Sequence, residues 1–475
     1  MADRPNILVV LTDDHAQWAL GCYGNREVRS PTMDWLAGRG VRMANAMTEG
    51  PVCSPARASF WTGRLPSQHG IHDFLGSREH RDQPWLEGET LLGELLHDAG
   101  YDCGFFGKWH CGRPAKTRTG FQRWCCIGAR TGPHQGDQPY IIDGQEVALH
   151  GYQARLTTDM ALDWLENRAA ETSGGDNGGE TDDADGERTP NRPFFAFVGL
   201  VSTHSPYDHH PPRLVEQYRD AAFEEIPEDA THPIGRLRPE GAYRRSDWNH
   251  HRRQYYAAVS EIDEQLGRLV DHLDQAGELD NTLIVYTGDH GLNCGHHGLW
   301  GKANATRPVN FVEETIRIPM VFAGWDKLHD QQVRPEFVDH TDLFATLVEV
   351  GGAAPPTDRR YAGRSFAHLL TAGPAEFDWK QHHVAEYGDA RMARSATHKL
   401  IRRHGRAPDE LYDLLADPRE TRNVIESPDQ QRAVAELDAV LGATFDPIAD
   451  SPNSGLRVAE LPEHNNVEPW RGEPV

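Results

Sequence analysis

The stretch PNILVVLTDD, residues 5–14, decides the fold. Its apolar run is short, continuous and rich in β-branched residues, which is typical of a strand buried on both faces within a parallel sheet. Two adjacent carboxylates, Asp13 and Asp14, follow at the carboxyl end of this strand. Because open α/β sheets bind their ligands at the carboxyl ends of strands, these residues are predicted to belong to a functional site rather than to a solvated turn.

The same pattern returns three times along the chain. Buried strands are predicted at 103–106, 194–201 and 282–287, and each is followed by polar residues: Lys108 and His110, then His204, then Asp289 and His290. Helices are predicted between and beyond the strands, at 90–99, 158–168, 255–276 and 341–350. The alternation of strands and helices predicts a doubly wound α/β sheet covered by helices.

The chain divides into two predicted domains. Residues 1–374 form the catalytic domain, within which the acidic, Gly-rich run 169–192 is expected to be a flexible insertion. The segment 209–249 is rich in Pro, Arg and His and is expected to form long loops around a site mouth. Short strands after residue 375 predict a small C-terminal α+β subdomain over 375–475, with an antiparallel sheet.

Composition excludes some classes of function. The 475 residues carry a net charge of −24, from 48 basic and 72 acidic side chains, which argues against a nucleic-acid partner. An anionic substrate must therefore be attracted by local positive charge. No stretch is long and apolar enough to span a membrane, and the charged start leaves no room for a signal peptide. We expect a cytoplasmic protein, or a periplasmic or secreted one if a leader has been removed; the oligomeric state is not indicated.

A second motif, Cys53-Ser54-Pro55-Ala56-Arg57, begins a predicted helix. Ser54 is expected to be the N-cap and Pro55 the first helical residue, so that Cys53 stands just outside a helix end that favours anions. Arg57 lies one turn on and can point to the same place. The alternative is that Cys53 is an ordinary buried cysteine before a helix, with no catalytic or binding role. The 7 cysteines show no paired zinc spacing and are too few for a disulfide scaffold.

These polar groups are expected to meet at one edge of the sheet. Three carboxylates are ligands for a hard cation such as Ca²⁺ or Mg²⁺, and a histidine can add a nitrogen. Cations can neutralise a tetrahedral anion, and further histidines can move protons. The chemistry this suits is transfer of a sulfuryl or phosphoryl group to a metal-bound nucleophile. The predicted set comprises Asp13, Asp14, Asp289 and His290, the cations Arg57, Lys108 and Lys302, and the histidines His110 and His204.

With these motifs the chain resembles the type I sulfatase family of the alkaline-phosphatase-like superfamily. The resemblance extends over almost the whole chain, and the Cys-x-Pro-x-Arg element is highly specific in this order and context. It implies a large mixed sheet sandwiched by helices, with a small C-terminal subdomain. The matching segments are 5–14, Cys53–Arg57, 62–64, 107–110, 203–206, 288–291, 301–302 and the C-terminal 410–414 with Asp417, Pro418 and Asn423.

The resemblance also implies a chemistry for the site. Cys53 would be oxidised by a maturation enzyme to formylglycine, whose hydrate attacks sulfur. Asp13, Asp14, Asp289 and His290 would bind Ca²⁺ together with the modified Cys53; His290 stands where many members have Asn, and both are family variants. Arg57 and Lys108 would stabilise the diol and the sulfate, His204 and Lys302 the leaving alcohol, and His110 would take the proton of the remaining hydroxyl.

The sequence leaves open the identity of the substrate and several alternative functions. A sulfated carbohydrate is expected on family frequency, against an aryl or small alkyl sulfate. The rivals are a phosphonate or phosphate ester hydrolase of the same superfamily, an inactive ligand-binding relative with unmodified Cys53, and a transition-metal thiolate site. Rim residues are His134, His209 and His210, together with the predicted substrate-binding residues His297, Trp300 and Arg394; Trp300 could stack on a sugar face.

Overall fold

The computed structural model describes residues 4–128, 133–173, 192–227, 231–238, 243–371, 378–405 and 407–471. Its strands are β1 Asn6–Thr12, β2 Val41–Ala46, β3 Asp102–Gly107, β4 Arg123–Ile127, β5 Gln135–Ile142, β6 Gln145–Tyr152, β7 Phe194–Leu200, β8 Arg236–Leu237, β9 Thr282–Gly288, β10 Asn293–Cys294, β11 Trp300–Gly301, β12 Thr306–Arg307, β13 Met320–Gly324, β14 Gln332–Val338, β15 His383–Tyr387, β16 Ala390–Arg394, β17 His398–Arg403 and β18 Glu410–Asp413. Its α-helices are α1 Pro31–Ala37, α2 Cys53–Thr62, α3 Pro66–His69, α4 Arg78–Arg81, α5 Leu92–Asp98, α6 Gln153–Ser173, α7 Pro212–Val215, α8 Trp248–Gln275, α9 Glu313–Ile316, α10 His340–Val350, α11 Ala367–Leu370 and α12 Gln431–Phe445.

A mixed sheet of ten strands runs through the larger part of the molecule, in the order β14-β2-β13-β9-β1-β7-β3-β4-β5-β6. The strands β9, β1, β7, β3 and β4 are parallel to one another, whereas β13, β5 and β6 run against their neighbours. The predicted α/β fold with a mixed sheet is confirmed. Because β9, β1, β7 and β3 are parallel neighbours, their carboxyl ends lie side by side at one edge.

Helices cover both faces of this sheet, as the continuous apolar run of β1 predicts. Ile7, Val9 and Leu11 pack into one core, together with side chains of α2, α5 and α10. Leu8 and Val10 point the other way, into a second core with α1, α6 and α8. All five β1 side chains are fully buried, which explains why the strand shows no polar alternation.

Several helix boundaries differ from the sequence prediction. The helix α8 begins at Trp248, seven residues before the predicted start at Tyr255, because the buried Trp248 ring packs on Trp300 at 5.7 Å, a contact that periodicity cannot reveal. The helix α6 continues to Ser173, so the first part of the predicted insertion 169–192 is helical. Residues 174–191 lie outside the described residues, as does the predicted domain boundary at 374.

The small antiparallel sheet predicted near the C-terminus has four strands in the order β15-β16-β17-β18. Its two faces are both covered. Met392 and Ile401 pack toward the large domain, and Ala393 and Leu400 pack against α12. Within the described residues, no helix combines the length and apolar character that a membrane span requires.

A buried acid under the edge of the sheet makes stability depend on pH. Glu261, on α8, accepts hydrogen bonds from Gln265 Nε2 at 2.9 Å and Ser202 Oγ at 3.4 Å. Burial raises the pKa of Glu261 from 4.5 to about 8. The folded state therefore keeps a proton that the unfolded chain has released, and stability falls as the pH rises through this interval, by up to about 1.4 kcal/mol per pH unit.

We expect Glu261→Gln, which carries no ionisable proton, to flatten this dependence and to melt higher than the unsubstituted protein at pH 8. Thermal midpoints measured from pH 5 to pH 9 check this prediction. Glu264→Gln is the matched control, because Glu264 lies on the same helix with its side chain 41% exposed and paired with Arg213. Identical pH profiles for Glu261→Gln and the unsubstituted protein would contradict the prediction.

Candidate active site

The polar residues that follow four parallel strands meet as the sequence predicts. The backbone of Asp13 donates to the carbonyl of Leu200 at 3.0 Å, and Asp289 donates to the carbonyl of Thr12 at 2.9 Å. These bonds continue the β1–β7 and β1–β9 pairings beyond the strands. Asp13, Asp14 and Asp289 consequently form one buried cluster, in which each residue is at most 1% exposed.

Close strand packing places the residues after β3. Gly107 has φ +106°, and a Cβ there would lie 2.0 Å from the carbonyl oxygen of Gly199. Only glycine tolerates this approach. The Lys108 backbone N–H then donates to the same carbonyl at 3.1 Å. Lys108 and His110 both face the site, although the backbone does not remain extended, because His110 has φ +56°.

Cys53 is the first residue of α2, one position inside the helix rather than outside it. Val52 has the extended backbone of an N-cap residue. Ser54 does not cap the helix, because its Oγ instead accepts the backbone N–H of Leu75 at 3.1 Å. The prediction of Ser54 as N-cap is therefore wrong, and the reason is this tertiary partner. Pro55 still falls in the first turn, where its missing N–H costs nothing.

The Cys53 sulfur touches residues from three other elements. Its Sγ lies 3.0 Å from Lys302 Nζ, 3.4 Å from His290 Nε2 and 3.8 Å from Asp14 Oδ1. Burial alone would raise the pKa of the Cys53 thiol, but Lys108, Lys302 and His290 outweigh it and hold that pKa well below its usual value. The position therefore favours negative charge at the beginning of the helix.

Three cations neutralise the buried carboxylates. Lys108 Nζ lies 2.5 Å from Asp13 Oδ2, Lys302 Nζ lies 2.7 Å from Asp14 Oδ1, and Arg57 Nε lies 2.9 Å from Asp289 Oδ2. Arg57 is fully buried and also donates to the Lys108 carbonyl at 2.9 Å. Arg57 thus lies one turn from Cys53, as expected. It contacts the carboxylates on the side away from the cavity that reaches Cys53, and it does not line that cavity.

The pKa values of two histidines at the cavity are shifted in opposite directions. His110 Nε2 faces the Leu75 carbonyl at 3.0 Å, so Nε2 carries the proton and the buried Nδ1 is left without a partner. Burial and the Lys108 charge lower the pKa of His110 to about 4. His204 Nδ1 faces the Ser205 carbonyl at 2.7 Å. Burial opposes protonation of His204, but the Asp14 carboxylate raises its pKa.

The donor set fits a hard divalent cation. Ligand atoms of Asp13, Cys53, Asp289 and His290 all lie within 4.8 Å of one another. Asp13 Oδ1 is buried and has no hydrogen-bond partner. A guanidinium nitrogen of Arg57 lies 3.6 Å from this oxygen, beyond hydrogen-bond distance. A buried carboxylate oxygen in that state is suited to a bound cation, and Ca²⁺ and Mg²⁺ prefer such oxygens. Asp14, whose Oδ1 lies 3.1 Å from His290 Nε2, completes the predicted ligand set.

A cavity of about 440 Å³ opens onto Cys53. Lys108, His110, His204 and Lys302 line it, so four of the predicted catalytic residues besides Cys53 share one space. The same cavity is lined by residues that the sequence reasoning did not single out, among them Phe74, Arg81, Arg238 and Asn304. The only signal for Arg238 was its place in the segment 209–249, predicted as loops around the site mouth.

The residues predicted to lie at the rim of the active site do not share one cavity. Trp300 lines a second, smaller cavity beside the first. His297 and Arg394 do not line the cavity at Cys53: His297 Nε2 is 2.7 Å from Glu314 and Arg394 pairs with Glu313 at 3.0 Å. Both partners belong to α9, so these two side chains connect α9 to its neighbours and are satisfied there. Their assignment as substrate-binding residues therefore has no support in the geometry.

The other rim residues also lie outside both cavities. His134 faces the His204 carbonyl at 2.9 Å and stacks on His210 at 4.8 Å. His210 Nδ1 is 2.6 Å from the Tyr152 hydroxyl. His209 is exposed beside Asp208. His134 and His210 therefore support the backbone of His204 from behind.

Comparison with known proteins identifies the family. A sequence model of the family described as Sulfatase matches residues 5–353, and one described as N-sulphoglucosamine sulphohydrolase, C-terminal, matches residues 295–445. The first match covers the large sheet and every predicted site residue except Arg394. The chain belongs to the sulfatase family. The predicted family and the predicted class of enzyme, a sulfuric ester hydrolase, are thereby confirmed.

Relatives of this sulfatase include named carbohydrate enzymes. It is 27% identical to an N-acetylglucosamine-6-O-sulfatase of Bacteroides thetaiotaomicron, over 93% of this chain and 86% of that protein. It is 26% identical to an ulvan-active sulfatase of Formosa agariphila, over 94% of this chain and 82% of that protein. A solved structure with its substrate D-glucosamine-2-N,6-O-disulfate shares the fold, with a TM-score of 0.77, 23% identity, and coverage of 95% of this chain and 99% of that one.

Proposed function

We propose that this sulfatase releases inorganic sulfate from a sulfated carbohydrate, using formylglycine formed from Cys53 and a bound Ca²⁺. The observation that supports the proposal most is the position of Cys53 Sγ, 3.0 Å from Lys302 Nζ and 3.4 Å from His290 Nε2, where the cavity reaches the carboxylate cluster. An oxyanion formed at this position meets an ammonium, and the residues of the cation site lie directly beside it.

Two groups supplied after translation would complete the site. Formylglycine at position 53 would provide a hydrated aldehyde as the nucleophile toward sulfur, and Ca²⁺ would provide Lewis acidity. Asp13, Asp14, Asp289 and His290 would hold the cation, with Mg²⁺ as the alternative. Arg57 keeps Asp289 in position through its bond of 2.9 Å and is a positioning residue for this ligand set.

The side chains of this chain bind the sulfate and move protons. Lys108 and Lys302 place two ammonium groups in the cavity, where they neutralise the charge of the ester. The Asp14 carboxylate raises the pKa of His204, which supports His204 as the donor of a proton from Nε2 to the leaving alcohol. His110, neutral at pH 7 with a free Nδ1, accepts a proton from the group at position 53 and so permits release of sulfate.

Burial restricts when Cys53 can be modified. Cys53 and Arg57 are at most 1% exposed, and Pro55 is buried as well. A maturation enzyme that reads a Cys-x-Pro-x-Arg motif cannot reach these side chains in the folded protein. Recognition by the formylglycine-generating partner must therefore precede packing of α2 against the sheet.

Sulfate release tests this proposal. We expect protein purified from a host that forms formylglycine to release sulfate from N-acetylglucosamine 6-sulfate or a related sulfated sugar, measured by ion chromatography. Paired aryl sulfate and aryl phosphonate substrates compare the two ester classes at one leaving group. A clear preference for the phosphonate in kcat/KM would contradict the sulfatase assignment. Preference for an aryl or alkyl sulfate over all sulfated sugars would contradict the carbohydrate substrate.

A further inference from the structure

Two cavities meet at the active site and share one wall. The first, of about 440 Å³, reaches Cys53. The second, of about 190 Å³, lies beside Asp14. Arg238, Lys302 and Asn304 line both cavities. Lys302 already contacts Cys53, so a molecule whose ester lies at Cys53 can extend past Lys302 into the second cavity.

The second cavity has an aromatic wall. Tyr207, Tyr243 and Trp300 line it, with the Trp300 ring 5.5 Å from Tyr207 and 5.8 Å from Tyr243. Trp300 is 4% exposed, and its Nε1 is buried without a hydrogen-bond partner. A cavity wall of aromatic side chains, with an N–H donor that finds no protein acceptor, is suited to a sugar ring with its hydroxyl groups.

The backbone fixes Arg238 beside Lys302. The short strand β8, which immediately precedes Arg238, pairs antiparallel with β12. The Arg238 N–H then donates to the Ala305 carbonyl at 3.0 Å, and Ala305 N–H donates to the Lys302 carbonyl at 3.0 Å. Arg238 is therefore tied through two successive bonds to the residue that touches Cys53, and its position relative to the nucleophile is defined.

The Arg238 side chain has no partner among the described residues. Among the residues that the structure describes, no carboxylate lies within ion-pair distance of Arg238, and its Nε is buried without a hydrogen bond. The lysines of the site differ, because Lys108 and Lys302 are paired with Asp13 and Asp14. A guanidinium with a buried, unused N–H costs stability unless a ligand supplies the acceptor, and its fork geometry matches a carboxylate or a sulfate.

We propose that Arg238 binds a second anionic group of the substrate, a carboxylate or a second sulfate, on a saccharide that occupies both cavities. The proposal rests on the proposed function, because it takes the scissile sulfate to lie at Cys53. It adds that the preferred substrate carries two negative charges, one at Cys53 and one at Arg238. In a protein of net charge −24, an unpaired cation at this wall supplies the local attraction that a doubly charged substrate requires.

Binding and turnover are measured separately so that the two proposals can fail independently. Sulfate release by the modified, unsubstituted enzyme tests the proposed function. Calorimetric binding to Cys53→Ala protein in calcium buffer tests Arg238, with three ligands: glucosamine 6-sulfate, glucosamine 2,6-disulfate and a sulfated hexuronate. We expect at least one of the two doubly charged ligands to bind at least tenfold more tightly than the first. Adding Arg238→Gln should remove that preference, and Arg238→Lys should keep part of it.

The comparison of ligands identifies the second anion. Loss of preference for the disulfate alone assigns a sulfate to Arg238, and loss for the hexuronate alone assigns a carboxylate. Arg236→Gln is the control, because it removes the same charge two residues away, where the Arg236 side chain donates, among the described residues, only to backbone carbonyls of residues 232–235. Equal affinities for all three ligands, no binding of any of them, or an equal loss on all three in Arg238→Gln would each overturn the proposal. Thermal midpoints confirm that the variants are folded.

Discussion

Cys53→Ala is expected to abolish sulfate release while the protein stays folded. The substitution removes the thiol without which Cβ of residue 53 cannot be converted to the aldehyde, and loss of a nucleophile costs activity by roughly 10⁴-fold or more. Cys53→Ser is expected to be nearly inactive as well, because an unactivated hydroxyl cannot replace a hydrated aldehyde. Kinetics of sulfate release, together with the mass of the peptide that contains residue 53, measure both effects.

Cys103→Ala is the matched control for this prediction. Cys103 is also a fully buried free cysteine, but it lies in the core with its Sγ 3.7 Å from the Gly93 carbonyl. Its replacement should change thermal stability and leave kcat unchanged. Full activity in either Cys53 variant, or an intact thiol at position 53 in the active enzyme, would contradict the assignment of the nucleophile. An intact thiol in inactive protein would instead indicate a host that does not modify it.

Asp13→Asn is expected to produce the second large loss, about 10³-fold or more in kcat/KM. Asp13 contributes an oxygen to the proposed cation site and is also the partner of Lys108 at 2.5 Å. The amide keeps the shape but removes the charge, which weakens a hard cation site and leaves the buried Lys108 ammonium without its counter-ion. Activity as a function of free Ca²⁺ measures the effect.

A second readout separates cation binding from catalysis. Chelation should lower the thermal midpoint of the unsubstituted protein and added Ca²⁺ should restore it, because a ligand that binds only the folded state stabilises it. The midpoint of Asp13→Asn should respond little at the same Ca²⁺ concentrations. Asp263→Asn is the control, since Asp263 is equally buried but accepts backbone N–H groups of Thr32 and Met33 far from Cys53. A midpoint that ignores chelation in the unsubstituted protein would contradict the cation site.

The convergence of the site could be predicted because it follows from strand direction. Parallel strands that are buried on both faces must end at a common edge, so residues as far apart in sequence as Asp13 and Asp289 come together without any knowledge of side-chain packing. Cys53, Arg57 and Lys302 do not follow parallel strands, and their assignment to the cluster depended on the Cys-x-Pro-x-Arg motif and the family resemblance. The same reasoning cannot give the role of Arg57, which faces the carboxylates from behind because α2 packs under them.

Residues outside the large sheet could not be placed in the same way. His297, Trp300 and Arg394 were all predicted from the sequence to bind substrate. Of these three, only Trp300 lines a cavity beside Cys53. His297 and Arg394 instead form ion pairs with glutamates of α9, a short helix that is contacted by segments distant in sequence. Arg238 went unnoticed because its position depends on the two-residue pairing of β8 with β12, which leaves no periodic signal.

The sequence by itself determined the doubly wound sheet, the edge at which the site lies, and the residue types that meet there. These properties depend on hydrophobic periodicity and on strand direction, which are local and additive along the chain. Only the tertiary structure decided that α2 begins at Cys53, that the pKa of His110 is lowered while that of His204 is raised, and that Arg238 finds no partner among the described residues. Those properties depend on the partner that each polar group finds once it is buried, and the partner comes from elsewhere in the chain.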